Sequence, residues 1–156
     1  MAAFMKTFEL LFVCTGNTCR SPMAEALAHK VLEGRSGISV SSAGLYADPG
    51  SSATPQALET VRAMGLDLSK HRSTRLTLDM ILNADQIYTM TAAHRRAVLE
   101  LAPDSEIKVQ RLDARRDIDD PIGGDLHLYQ MTAAQILQAL QDRLQPESAT
   151  TRGAVS

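Results

Sequence analysis

The chain has 156 residues with 16 lysines and arginines, 18 aspartates and glutamates, a net charge of -2 and two cysteines. This length predicts one domain spanning 1–156. The charge balance gives no case for nucleic acid or a membrane as a partner. The sequence also shows no signal-peptide pattern and no apolar run of the ~20 residues that a spanning helix needs. Because the two cysteines make neither a disulfide framework nor, with four scattered histidines, a zinc site, we expect a reduced, cytoplasmic protein without a metal or cofactor.

Apolar runs alternate with helical patterns along the chain. The predicted elements, in chain order, are strand 8–13, a helix from Ser21 to about 33, strand 38–43, a helix from Thr54 to about 64, short helix 76–82, strand 84–90, a helix from Thr91 to about 101, strand 107–112, charged loop 113–129 and final helix 130–144. Ser21, Thr54 and Thr91 are the predicted N-caps. Residues 146–156 are small and polar, which predicts a disordered tail after an ordered core of about 8–145.

This alternation of strands and helices predicts an α/β domain with a parallel sheet. In such a sheet, ligands bind beyond the carboxyl ends of the strands. Loops that follow the predicted strands therefore contain the candidate site residues.

The segment Cys14-Thr15-Gly16-Asn17-Thr18-Cys19-Arg20-Ser21 joins the first strand to the first helix. A junction of this kind directs several backbone N–H groups and a helix dipole at one point, which favours a phosphate group. These surroundings also stabilise a thiolate, so Cys14 would be a nucleophile without a separate base. Arg20 can bind two phosphate oxygens at once, as lysine cannot. The alternative, a buried structural cysteine before a surface arginine, leaves the register of strand, Gly16, Asn17 and Ser21 unexplained.

Phosphoryl transfer to Cys14 also needs an acid that protonates the leaving atom. Asp120, before Pro121 in the loop after the fourth strand, is the candidate; its neighbour Asp119 is the alternative. With the motif Val-Cys-Thr-Gly-Asn-Thr-Cys-Arg-Ser-Pro-Met-Ala-Glu and the distal Asp-Pro, the chain resembles the low-molecular-weight protein-tyrosine phosphatase family over about 8–144. Within that family it most resembles the bacterial protein-arginine phosphatases.

The resemblance implies a flavodoxin-like three-layer sandwich with a four-stranded parallel sheet in the order 2-1-3-4. It implies a cysteinyl-phosphate intermediate, with Cys14 as nucleophile, Arg20 as phosphate clamp and Asp120 as the acid that later activates water. The other residues that it implies are the phosphate-binding loop Thr15, Gly16, Asn17, Thr18, Cys19 and Ser21, and the supporting residues Ser42 and His71. The implied partners are a phosphorylated protein substrate and inorganic phosphate or a similar oxyanion, and we expect a monomer.

Several of these residues also have a structural interpretation. Asn17 tolerates a left-handed backbone and would lock the loop. Ser21 can reach the Cys14 sulfur with its hydroxyl. His71 lies in a polar segment, where a solvated or core histidine is the alternative to a supporting role. Cys19 is either a small residue packed under the loop or a redox residue that forms a reversible disulfide with Cys14.

Three positions predict the substrate pocket: Thr18, Tyr46 and Ile122. In tyrosine-directed members a bulky aliphatic residue usually stands at the position of Thr18, and Ile122 stands where both branches commonly carry Phe or Tyr. A phosphotyrosine ring gains from aromatic walls, but the chain has only three Tyr, three Phe and no Trp. We therefore favour phosphoarginine, with phosphotyrosine as the alternative.

Two other classes of protein can be weighed from the sequence. A thioredoxin-coupled arsenate reductase would need further cysteines after the third strand, and none follows Cys19. A catalytically silent phosphate-binding module would be expected to have lost Cys14 or the acid, and both are present.

Overall fold

The computed structural model describes residues 6–145, so the predicted tail 146–156 lies outside the described residues. Strands and helices alternate along this part of the chain. Their bounds are β1 Phe8–Cys14, α1 Arg20–Val31, β2 Ile38–Gly44, α2 Pro55–Arg62, α3 Leu78–Asn83, β3 Gln86–Thr89, α4 Ala92–Leu101, β4 Val109–Arg111 and α5 Leu126–Arg143, with a 3₁₀ helix at Pro103–Lys108.

The four strands form one parallel sheet in the order β2-β1-β3-β4, which confirms the predicted fold class and strand order. β1 is central and pairs with β2 over its whole length, ending in the pair Cys14 and Gly44. The carboxyl ends of the strands therefore place Cys14 beside the loop after β2 and next to β3.

Side chains of β1 alternate between the two faces of the sheet. Leu10 and Phe12 pack in the larger core, with residues of α1, α2 and α5. Leu11 and Val13 pack in the smaller core, with residues of α3 and α4. The result is a three-layer sandwich in which the central strand is buried on both faces, as its nearly continuous apolar sequence predicted.

The predicted fourth strand, 107–112, is too long. Residues Pro103–Lys108 form a 3₁₀ helix instead, and Ile107 is 93% exposed. The amide of Ser105 donates to the carbonyl of Ala102 at 3.0 Å, so the backbone here is paired locally rather than with β3. The apolar, β-branched character of Ile107 suggested a strand, but this side chain contributes nothing to the core.

Two predicted helix starts are also wrong. α1 begins at Arg20 after Cys19, without a side-chain cap, so Ser21 is not the N-cap. α5 begins at Leu126, because the carboxylate of Asp125 accepts a hydrogen bond from the Leu128 amide at 2.9 Å. Predicted loop 113–129 is accordingly shorter, and Tyr129 lies inside the helix.

Thr54 and Thr91 cap α2 and α4 as predicted, and their hydroxyls accept hydrogen bonds from the amides of Ala57 and His94. α3 and β3 each begin two residues later than predicted, and Thr77 caps α3. None of the helices within residues 6–145 combines the length and apolar character needed to cross a bilayer.

Candidate active site

The loop between β1 and α1 surrounds a small cavity at the carboxyl edge of the sheet. Its volume is about 110 Å³. The residues that line it are Cys14, Thr15, Gly16, Asn17, Thr18, Cys19, Arg20, Asp120 and Ile122. The structure thus brings the predicted nucleophile, clamp and acid to one cavity, although more than 90 residues of chain separate the loop from Asp120.

The sulfur of Cys14 receives hydrogen bonds from within the loop. The backbone amide of Asn17 donates to it at 3.3 Å, and the Ser21 hydroxyl lies 2.9 Å away. The side-chain amide of Asn17 donates to the Ser21 oxygen at 2.8 Å, so the Ser21 proton is directed either at the sulfur or at the Ala43 carbonyl, 3.5 Å away. The sulfur thus accepts from the Asn17 amide and has a hydroxyl group within hydrogen-bond distance.

Asn17 connects this hydrogen-bond network to β2 and α1. Its side-chain nitrogen also donates to the Ser42 hydroxyl at 3.0 Å, and Ser42 in turn donates to a carboxylate oxygen of Glu25 at 2.6 Å. Since Ser42 gives its proton to Glu25, it can only accept from Asn17. Asn17 is therefore the donor at the start of two branches. One leads through Ser42 to Glu25, and the other leads to Ser21, which lies beside Cys14.

Asn17 is also the one non-glycine residue within residues 6–145 that has a positive φ, at 58°. Its side-chain oxygen accepts a hydrogen bond from the Thr74 amide at 2.8 Å, and its carbonyl lies 2.8 Å from Nε2 of His71. The Thr74 bond fixes which end of the Asn17 amide faces the two serines. His71 contacts the backbone of the loop and is not among the residues that line the cavity.

Gly44 packs directly against the loop. A Cβ atom at this position would lie 2.6 Å from the carbonyl oxygen of Thr15 and 2.9 Å from the amide nitrogen of Asn17. The two segments approach this closely because the amide of Tyr46 donates to the Thr15 carbonyl at 2.9 Å. A side chain at position 44 would therefore force the loop or the end of β2 to move.

Arg20 is 4% exposed and is held on two sides. Its Nη1 donates to the carbonyl of Ile118 at 2.8 Å, and its Nη2 lies 3.4 Å from Oγ1 of Thr15. The same Nη2 lies 3.5 Å from Oδ2 of Asp120, whose side chain is 41% exposed. Asp119 does not line the cavity. Of the two neighbouring aspartates, only Asp120 lines the cavity and lies beside Arg20.

The model of the low molecular weight phosphotyrosine protein phosphatase family matches residues 9–150. The chain belongs to this family. It is therefore a protein phosphatase, a hydrolase.

Named relatives fall in both branches of the family. The phosphatase is 36% identical over 140 residues to the protein-arginine-phosphatase of Bacillus subtilis (strain 168), covering 85% of this chain and 92% of the relative. It is 39% identical over 129 residues to the probable low molecular weight protein-tyrosine-phosphatase EpsP of Ralstonia solanacearum, covering 81% and 87%. A solved cysteine-to-serine mutant of the YwlE arginine phosphatase, with a phosphorylated active-site serine, has a TM-score of 0.81 at 35% identity, covering 86% and 91%.

The three predicted pocket residues of the phosphatase differ in position. Thr18 and Ile122 line the cavity, and Ile122 lies at its mouth with 62% of its surface exposed. Tyr46 is 71% exposed and is not among the lining residues. The structure therefore does not bring Tyr46 into the cavity with the other two.

Cys19 of the phosphatase has polar neighbours that the sequence analysis missed. Its sulfur lies 3.3 Å from the hydroxyl of Tyr129, which also accepts a hydrogen bond from Thr54 at 3.2 Å. Burial of the ring and the bond to Cys19 raise the pKa of Tyr129 to about 12, so the phenol is neutral near pH 7. Tyr129 was missed because its position was assigned to a loop.

Sequence reasoning also missed the site contacts of Glu25, Gly44 and His94. Glu25 was visible as part of the motif, but nothing in the pattern shows that it accepts from Ser42. The contact of Gly44 depends on strand register, and His94 reaches Thr15 across 79 residues of chain. Within residues 6–145, no three His, Cys, Asp or Glu residues are grouped so that they could hold a metal ion.

Proposed function

We propose that this protein is a cysteine-dependent phosphatase of phosphoarginine residues in proteins, acting through a phosphorylated Cys14. The observation that carries the proposal is the composition of the cavity. Cys14, Arg20 and Asp120 meet there, and none of the nine residues that line this cavity is aromatic. The arginine phosphatase of B. subtilis and the YwlE mutant with a phosphorylated active-site serine support the specificity and the covalent intermediate.

In the proposed first step, the Cys14 sulfur attacks phosphorus and an S–P bond forms as the P–N bond to the arginine side chain breaks. Asp120 gives its proton to the leaving nitrogen. In the second step, the Asp120 carboxylate takes a proton from water, whose oxygen attacks phosphorus. The S–P bond breaks, the Cys14 thiolate is restored and inorganic phosphate leaves.

The loop residues have supporting roles in this proposal. The amides of the loop and Arg20 stabilise the charge on the transferred phosphoryl oxygens. Ser21 hydrogen-bonds the Cys14 sulfur and makes it a better leaving group in the second step. Asn17, Ser42 and His71 hold the loop in shape. Thr15, Gly16, Thr18 and Cys19 complete the cavity wall.

Thr18 is the proposed specificity residue. The threonine side chain is polar and smaller than a bulky aliphatic residue, so it narrows the cavity mouth less. A planar guanidinium group suits such a mouth, and the Asp120 carboxylate can pair with it after giving up its proton. The tyrosine phosphatase EpsP favours the second candidate, phosphotyrosine, because its identity to this chain is as high as that of the arginine phosphatase.

Paired peptides of one sequence, carrying phosphoarginine or phosphotyrosine, test the specificity. We expect a higher kcat/KM for phosphoarginine in the wild type, and a decrease of this preference by roughly tenfold or more in Thr18→Ile, because the added bulk narrows the mouth. Thr18→Val is the matched control, since it removes the hydroxyl and keeps the shape. A wild-type preference for phosphotyrosine would assign the chain to the tyrosine branch.

The two neighbouring aspartates give a second test. Asp120→Asn should lower kcat/KM towards phosphoarginine by about 10²–10⁴-fold, the usual contribution of a positioned acid. With a nitrophenyl phosphate the loss should be smaller, because a nitrophenolate leaves without a proton. The matched control is Asp119→Asn, which lies outside the cavity and should keep near-normal turnover. The assignment is wrong if the two variants exchange these results.

The remaining proposals concern the cell and the redox state. We propose a monomer in the cytoplasm, where both cysteines stay reduced, that acts on phosphorylated proteins and binds inorganic phosphate as product. Cys14 and Cys19 are both free and buried. We also propose that Cys19 can form a reversible disulfide with Cys14 under peroxide, which would protect the nucleophile from over-oxidation.

A further inference from the structure

His94 contacts the phosphate-binding loop at Thr15. It is the third residue of α4, and the residue is only 8% exposed. Its Nε2 lies 2.8 Å from Oγ1 of Thr15. Its Nδ1 is the one buried side-chain nitrogen or oxygen within residues 6–145 that has no hydrogen-bond partner. An unpaired buried nitrogen costs free energy, which indicates that the imidazole has a role besides filling space.

The chemistry of the groups fixes one of the two hydrogen-bond directions. Arg20 can only donate, so its Nη2, 3.4 Å from Oγ1 of Thr15, uses a lone pair of that oxygen. The Thr15 oxygen has a second lone pair and one proton, so the tautomer of His94 decides whether Thr15 donates to Nε2 or accepts from it. The relay argued below uses the tautomer with its proton on Nδ1, in which Nε2 accepts the hydroxyl proton of Thr15.

The surroundings keep this imidazole uncharged. Burial of the ring, and after it the positive charge of Arg20, lower the pKa of His94 to about 4, although Asp117 and Asp120 act in the opposite direction. Near pH 7 the ring is therefore neutral, and its Nδ1–H tautomer has Nε2 free to accept a hydrogen bond. A protonated ring would instead direct a second N–H at the Thr15 oxygen and place a second cation near Arg20.

We propose that His94 is a positioning residue for phosphate binding, which orients the Thr15 hydroxyl so that the Thr15 oxygen holds the guanidinium of Arg20 towards the cavity. The relay runs from His94 Nε2 through Thr15 Oγ1 to Arg20 Nη2. Together with the bond from Nη1 to the Ile118 carbonyl, it holds both terminal nitrogens of Arg20. This inference rests on the proposed role of Arg20 as the phosphate clamp.

A purely structural role for His94 makes different predictions. A ring that only fills space between α4 and the loop would be replaced by leucine with little effect on phosphate affinity. It would also act independently of Thr15. A positioning role requires that the two residues act as one unit, so the losses from changing each should not multiply.

A double-mutant cycle tests the relay in the full-length protein, with Ki for inorganic phosphate and kcat/KM for a nitrophenyl phosphate as readouts. His94→Leu should raise Ki by about tenfold, because it removes the hydrogen bond to Thr15, and one hydrogen bond typically contributes a factor of this size. Thr15→Val should do the same, and the double variant should be no weaker than either. His94→Gln keeps an acceptor near the position of Nε2 and should restore most of the affinity.

The possible results separate this inference from the proposed function. If the wild type hydrolyses the aryl phosphate and His94→Leu binds phosphate normally, the relay is wrong and the phosphatase stands. Losses that multiply in the double variant would also overturn it. If the wild type has no turnover, the proposed function fails first. If His94→Leu does not fold, the single variants His94→Gln and Thr15→Val are compared instead. The relay requires that His94→Gln bind phosphate more tightly than Thr15→Val, and equal or weaker binding would overturn it.

Discussion

The variant Cys14→Ser should lose at least about 10⁴-fold in kcat towards phosphoarginine peptides, as expected when a covalent nucleophile is removed. Serine is not ionised near neutral pH. The donors around this position, the Asn17 amide and the Ser21 hydroxyl, can stabilise an anion but cannot take a proton from serine. A serine hydroxyl needs a general base to become a nucleophile, and neither donor can act as one; a thiol that ionises needs no such base.

The control for this variant is binding of inorganic phosphate. Arg20 and the loop amides are unchanged in Cys14→Ser, so the protein should still be stabilised by phosphate in a thermal melt. Mass spectrometry of acid-quenched wild-type protein during turnover should detect a phosphoryl group on Cys14. Normal turnover by Cys14→Ser would mean that water attacks phosphorus directly, and the covalent mechanism would have to be abandoned.

The variant Gly44→Ala, which adds a single methyl group, should lower both activity and stability. The Cβ of Gly44→Ala would lie 2.6 Å from the Thr15 carbonyl oxygen and 2.9 Å from the Asn17 amide nitrogen, and neither is the end of a flexible side chain. The loop or the end of β2 must move. We expect a loss of about 10²-fold in kcat/KM, because small displacements of catalytic groups have effects of this size. Overpacking should lower the free energy of unfolding by about 1–3 kcal/mol.

Gly16→Ala is the matched control for stability. A Cβ on Gly16 would meet nothing closer than Oγ1 of Thr18, at 3.8 Å. Neither glycine has a positive φ, so both changes reduce the freedom of the unfolded chain equally. Urea denaturation of the two variants should therefore show a loss for Gly44→Ala alone. Equal stabilities would show that β2 adapts to the extra methyl group, and that the close contact does not constrain the loop.

The sheet could be predicted because local patterns and tertiary packing agree in β1. Its apolar run is buried on both faces, and the loop after it has the composition of a strand-to-helix junction. At Ile107 they disagree: an apolar, β-branched residue suggests a strand, but local hydrogen bonds of the 3₁₀ helix decide the conformation. The early start of α5 was missed because Asp125 was read as part of a charged loop rather than as an N-cap.

The candidate site was predictable where one short motif contains the chemistry, and less so where distant segments meet. Cys14 and Arg20 belong to one loop, and the step that needs an acid led to Asp120. The contacts of Gly44 and His94 depend on strand register and on how α4 packs, which no local pattern encodes. Tyr46 shows the opposite case: its position after β2 suggested a pocket wall, but its side chain is exposed and is not among the residues that line the cavity.

The left-handed turn at Asn17 has a consequence for the end of the reaction cycle. Its hydrogen bonds to Thr74, Ser42 and His71 come from the protein itself, so the loop needs no ligand to take its shape. No entropy of loop ordering then opposes the arrival of a phosphoryl group. The same preformed loop that receives the phosphoryl group of the substrate also fits the freed phosphate anion. Phosphate should therefore compete with the substrate for this loop, and turnover should fall as the phosphate concentration around the enzyme rises.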